Sequence, residues 1–299
     1  MRNRLANIML LLCISLIAGS TFAAIKIAVQ SFSVYEITFL RSSLGFIVAA
    51  PFMARLRHWR ALNFTSWLYV AGMAFIGIML PFTLLNWAGK QIDSSTVGIL
   101  WSTLPLFGVL LAHFLTKNDV LGFGKVAAVI LGAVSVWMIS RGALGSAGAA
   151  GIMPHLAVVV SALCYAISGV LQRRVSSKIS AMFLTGLTMA MCAIASFAIW
   201  PVTLTFDGRT AGSLAAVAYL GVVTSAMLAF LRLVLIRRAG YALVSYTGFL
   251  VPISSVFIGV VFLNETLPAN AYAALGVAFG ALGLSQLTPG VFTRWRARS

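Results

Sequence analysis

The sequence predicts an all-α integral membrane protein of ten transmembrane helices, arranged as two inverted-topology five-helix repeats. Three observations predict it: an extreme apolar composition, successive apolar runs of membrane-crossing length, and basic residues that alternate from loop to loop. Of 299 residues, 61% are hydrophobic and 9% charged, and the mean hydropathy is +1.02. A soluble domain carries roughly 45–50% apolar and about 25% charged residues. The surrounding solvent is therefore lipid.

A helix needs about 20 mostly apolar residues to cross the roughly 30 Å hydrocarbon layer. Runs of this kind cover residues 5–29, 34–54, 65–89, 93–115 and 121–140, then 153–172, 179–201, 212–236, 241–263 and 268–288. The first begins after Arg2 and Arg4 and passes through Ser20-Thr21-Phe22-Ala23, a pattern that superficially resembles a cleavable leader. Its removal would leave an unpaired half-repeat, so it is read as a retained span. Residues 141–153 form a Gly/Ala-rich linker containing Gly142, Gly145, Gly148 and Gly151. The expected units are a first repeat over 1–140, this linker, a second repeat over 154–290, and a basic cytoplasmic tail over 291–299.

Basic residues outnumber acidic ones 21 to 5, which in a soluble chain would suggest nucleic-acid binding. Their placement excludes that partner. One alternating set of loops holds Arg2, Arg4, Arg55, Arg57, Arg60, Lys117, Lys125, Arg173, Arg174, Lys178, Arg237, Arg238, Arg294, Arg296 and Arg298; the other holds only Lys90, Arg141 and Arg209. By the positive-inside rule both termini are cytoplasmic. Sliding the second half on the first by 147 residues aligns Lys26 with Arg173, Ser33 with Ser180, Lys90 with Arg237, and Pro105 with Pro252. Five spans per repeat is an odd number, so the second copy must insert upside down, as in many secondary transporters. Cys13, Cys164 and Cys192 lie inside apolar runs without metal or disulfide spacing and read as small core residues.

Ala18-Gly19-Ser20-Thr21-Phe22, Phe39-Leu40-Arg41, and Phe262-Leu263-Asn264-Glu265 followed by Gly276, Gly280 and Gly283 resemble EamA-type members of the drug/metabolite transporter superfamily. Within it, the chain looks most like the bacterial aromatic amino-acid exporters. The resemblance covers the whole chain and implies a central cavity lined mainly by spans 3, 4, 8 and 9, with spans 5 and 10 outside. It also implies ATP-independent export across a bacterial inner membrane. The first repeat departs from it, with Lys117-Asn118-Asp119 where the second has Asn264-Glu265.

Charges inside spans cost about 2.5–3.5 kcal/mol on insertion scales and are functional candidates by default. Arg41 has Glu36 five residues earlier as an ion-pair partner; Lys26 reaches the interface by snorkelling; Arg232 either snorkels or meets a substrate carboxylate. Pro81, Pro105 and Pro252 each free a carbonyl and permit a bend. Trp101, Tyr165 and Tyr246 are mid-span aromatics expected to face the interior, whereas Trp59, Trp67, Trp200 and Trp295 sit near span ends as belt residues. With Asn86, Ser102, Thr103, Ser245 and Thr247 they compose a mostly apolar substrate cavity with sparse polar groups. Gly276-x-x-x-Gly280 is expected to serve internal helix packing ahead of dimerisation, leaving monomer and homodimer both open.

His58, His113 and His155 are scattered, and neither a metalloprotease motif, a nucleophile elbow nor a Walker sequence occurs. No enzyme activity, metal or cofactor is expected. The expected partners are the lipid bilayer and a small-molecule substrate, with a receptor or scaffold, or an uptake carrier, as the competing functions.

Overall fold

A computed structural model describes residues 2–55, 58–59, 62–115, 123–175, 179–200, 202 and 208–286. The basic tail, Lys117-Asn118-Asp119 and Lys178 lie outside these residues. The described residues form twelve α-helices: α1 Arg2–Ala28, α2 Val34–Arg55, α3 Phe64–Ala74, α4 Leu80–Gly89, α5 Ser94–Trp101, α6 Thr103–Leu115, α7 Phe123–Arg174, α8 Ala181–Ile199, α9 Ala211–Gly221, α10 Leu228–Ser245, α11 Thr247–Leu263 and α12 Ala269–Gln286. Two π-helical turns, Phe75–Met79 and Val222–Met227, join α3 to α4 and α9 to α10. Among the described residues, eight helical stretches are long and apolar enough to cross a membrane, and Val126–Arg141 and Ala269–Leu284 are shorter apolar helices. The protein is a multi-pass membrane protein.

The predicted 141–153 linker falls within the helix assigned as α7. At about 1.5 Å per residue, a helix of 52 residues is far longer than a bilayer requires. Its two flanks pack on different helices. Around residues 126–141, Ser135 donates to the Ala274 carbonyl and Asn270 to that of Met138, so this flank lies on α12. Around 151–174, Ser161 donates to the Pro81 carbonyl, and Leu171 packs on Gly72.

Local structure follows the 147-residue register. Helix α2 starts at Val34 and α8 at Ala181; α3 starts at Phe64 and α9 at Ala211; the π turns start at Phe75 and Val222. Each pair is 147 apart. Helix caps match too. Ser33 accepts the Glu36 amide at 3.2 Å and Ser180 that of Phe183 at 3.1 Å, while Asn63 accepts from Ser66 and Thr210 from Ser213. A cap at each site satisfies amides that have no partner within the helix. Ser33 and Glu36 form a reciprocal capping box, since the Ser33 amide also donates to Glu36 at 2.8 Å.

Small residues bring the central helices together. A side chain on Gly19 would strike Ser254 and Ser255, and one on Gly98 would strike Ser255, so α1, α5 and α11 pack almost backbone to backbone. Ser254 donates to the Ser15 carbonyl at 2.9 Å and Ser255 to that of Ser94 at 3.0 Å, adding polar links where water is excluded. The expectation for Gly276 and Gly280 is corrected: both are exposed, with nothing close to where a side chain would stand. α12 instead buries Ala271, Ala274, Ala278 and Ala281, because its contact face follows the alanines. Cys13 is also exposed rather than core, whereas Cys164 and Cys192 are buried.

Candidate substrate site

Arg41, on α2, is buried within the bundle and is 4% exposed. Its Nε donates to the Ser225 hydroxyl at 3.0 Å and its Nη2 to that of Thr224 at 3.2 Å, both in the second π turn. Those hydroxyls each donate to the Leu220 carbonyl at 2.9 Å, which fixes their acceptor lone pairs toward the guanidinium. The guanidinium carbon lies 3.7 Å above the Phe82 ring, a cation–π contact. Nη1 is buried without a hydrogen-bond partner.

The expected Glu36–Arg41 pair does not form. Glu36 is bound by Arg209, with Nη2 to Oε1 at 2.6 Å and Nη1 to Oε2 at 3.4 Å, and Arg209 also donates to the Ser31 carbonyl and stacks on Phe32. The physical reason is the capping box: it holds the Glu36 carboxylate at the start of α2, more than a turn from Arg41 and at the end where Arg209 enters.

Trp101 ends α5 and stands edge-on to Tyr165, ring centroids 5.0 Å apart, and to Phe22 at 5.8 Å. Arg232 is half-buried, and its Nε lacks a partner. Asn86 is fully buried, donating to the Val34 carbonyl and the Thr38 hydroxyl, while its Oδ1 is unpartnered.

Other predicted site residues lie elsewhere. Tyr246, at the break between α10 and α11, is 54% exposed and meets Phe249, with no ring contact to Trp101. Lys26 lies at the Lys90 end, where it donates to the Ile92 carbonyl at 2.9 Å and pairs with Asp93 at 3.6 Å. Ser102, Thr103 and Thr247 turn their hydroxyls onto carbonyls three residues back, so they serve the helix breaks. Span 4 breaks at Ser102, just before Pro105; Pro81 follows the first π turn; Pro252 lies within regular α11, six residues past the break at Tyr246.

The two ends of the bundle differ. At the Lys90 end α1 packs on α4, α5 and α9, and α4 meets α5. At the Arg237 end α3 packs on α7 and α8, α6 on α7 and α12, and α10 on α1 and α8; among the described residues none of α3, α6 and α10 makes an extended contact with another. Glu265 ties the loop after α11 to the start of α5 at the Lys90 end. Its carboxylate accepts from the Ser94 amide at 2.8 Å, the Ser95 amide at 3.0 Å and the Ser95 hydroxyl at 2.5 Å. Burial pushes the Glu265 carboxyl up, and these hydrogen bonds from Ser95 and Ser94 outweigh it, holding it below its ordinary value of 4.5. Asn264, with φ of 54°, ends α11 in the left-handed conformation and turns Glu265 back toward α5.

Sequence reasoning named Arg41 but not its hydroxyl cradle, and missed the roles of Arg209 and Glu265. The Ser-x-x-Glu pattern at Ser33 was the available signal that Glu36 was already committed.

The model of the EamA-like transporter family matches twice, over residues 5–141 and 152–286, and the two matches start 147 residues apart. An uncharacterized transporter of Buchnera aphidicola subsp. Schizaphis graminum (strain Sg) is 28% identical over 135 residues, 43% of this chain and 43% of that protein's length. A crystal structure of a protein with 18% identity superposes with a TM-score of 0.63, covering 95% of this chain and 98% of that one. It shares the fold. With the family model matching both halves, the chain belongs to the EamA-like transporter family.

Proposed function

We propose that this protein is a ten-span secondary transporter, built from two inverted repeats, that exports small amphipathic metabolites by alternating access. Amino acids with aromatic or apolar side chains are its foremost substrates. It resides in a bacterial inner membrane with both termini cytoplasmic, and one chain, alone or in a homodimer, carries the whole site.

The observation that carries this reading is the buried Arg41 stacked on the Phe82 ring, in the same bundle as the edge-on Trp101–Tyr165 pair. An aromatic wall next to a cation suits an amphipathic solute with an apolar body and a polar head. Matched caps and π turns at a 147-residue spacing support the repeat, and an odd number of spans in each half supports its inversion.

The test is exchange of labelled solutes across proteoliposomes holding the purified protein, with and without a pH gradient. Phenylalanine, tryptophan and leucine should exchange faster than glycine or serine. Equal rates for all, or none above empty liposomes, would remove the substrate assignment.

A further inference from the structure

The transport reading leaves open which chemical group of the solute the protein is built to hold, and Arg41 answers it. A guanidinium has five N–H donors and no acceptor. Ser225 and Thr224 engage Nε and Nη2 through neutral hydroxyls, and Phe82 covers one face, so the side chain is oriented without being neutralised. Nη1 keeps its N–H groups buried and unpartnered. A buried charge is ordinarily paired with an opposite one. Among the described residues no carboxylate serves: Glu36 is held by Arg209, Asp93 lies beside Lys26, and Glu265 is bound to Ser94 and Ser95. Arg232, on α10, likewise keeps a buried Nε without a partner.

We propose that Arg41 Nη1 binds an oxyanionic head group of the transported solute, so that a carried molecule must bring a carboxylate or comparable oxyanion on an apolar body. The inference rests on the transport reading for its cargo, but the anion requirement is a property of binding. It also gives the π turn a purpose. Val222–Met227 presents Thr224 and Ser225 side by side toward α2, so the second half of the chain aims a cation supplied by the first. Lys26 is set aside as the head-group ligand because Asp93 and the Ile92 carbonyl already occupy it.

The experiment is ligand-induced thermal stabilisation of the full chain in detergent, using four probes that share one ring: 3-phenylpropionate, phenyl phosphate, 3-phenylpropionamide and phenethylamine. At least one of the two anions should bind roughly ten- to a hundred-fold more tightly than the amide or the amine, the range expected for hydrogen bonds to a charged group. Whichever anion binds better identifies the head group as carboxylate or phosphate. Arg41→Gln should abolish the discrimination, and Arg41→Lys should retain part of it with weaker binding, because a point charge replaces a fork. The wild-type comparison stands even where a variant fails to fold. Equal binding of anion and amide, preference for the amine, or no binding of any probe would overturn the proposal. Anion-selective binding together with failed phenylalanine exchange in proteoliposomes would instead sink the amino-acid assignment alone.

Discussion

Glu265, in the loop after α11, caps the first turn of α5 by accepting both the Ser94 and Ser95 amides, 171 and 170 positions away in sequence. The contact joins the two halves of the chain at the Lys90 end of the bundle. Glu265→Ala should speed hydrogen exchange of the amides at the start of α5 by about tenfold or more, since a charged hydrogen bond contributes roughly 1.5–3 kcal/mol. Unchanged exchange there would show that the end is held by apolar packing alone.

The same carboxylate sets a pH dependence. Its folded pKa is depressed below 4.5, so its stabilising contribution is fully present above 4.5 and is lost as pH falls through the lower folded value. Thermal midpoints of the wild type and Glu265→Gln should therefore differ at pH 7 and converge below pH 4.5. A constant difference across that range would mean that the carboxylate does not titrate within the cap.

Arg209 and Glu36 form a nearly buried pair, with side chains 10% and 7% exposed. Removing one partner from such a pair destabilises by about 3–5 kcal/mol, because the other charge is stranded. Glu36→Gln and Arg209→Gln should each lower the thermal midpoint sharply, and the double variant should lose less than the sum. Strict additivity would argue against coupling.

Under the proposed function, ring contact between Trp101 and an aromatic substrate contributes roughly 0.5–1.5 kcal/mol beyond area burial. Trp101→Ala should thus slow phenylalanine exchange about two- to tenfold more than alanine exchange, at unchanged membrane abundance. Equal losses would make Trp101 a packing residue.

Topology offers an independent check. Reporter fusions at Ser299 and within residues 141–153 should fall on opposite membrane sides, the first cytoplasmic. Both on one side would defeat the five-plus-five arrangement.

Composition and spacing alone were enough to identify a membrane protein, its apolar spans and the 147-residue register, because length in lipid and helix caps are local properties. Ser33 and Ser180, paired from sequence alone, proved to be equivalent N-caps, and Gly240, at φ of 79°, separates the two spans where the polar break predicted. What only the tertiary structure decided is which face of each helix points inward. In a chain bathed in lipid, nearly every face is apolar, so periodicity does not distinguish core from surface. Gly276 and Tyr246 were accordingly assigned to the interior and lie exposed, while Glu36, seemingly beside Arg41 in sequence, pairs with Arg209 from 173 positions away. The unpaired charge at Arg41 appears only once every described carboxylate has found its partner, and those partners are set by long-range packing rather than by neighbours along the chain.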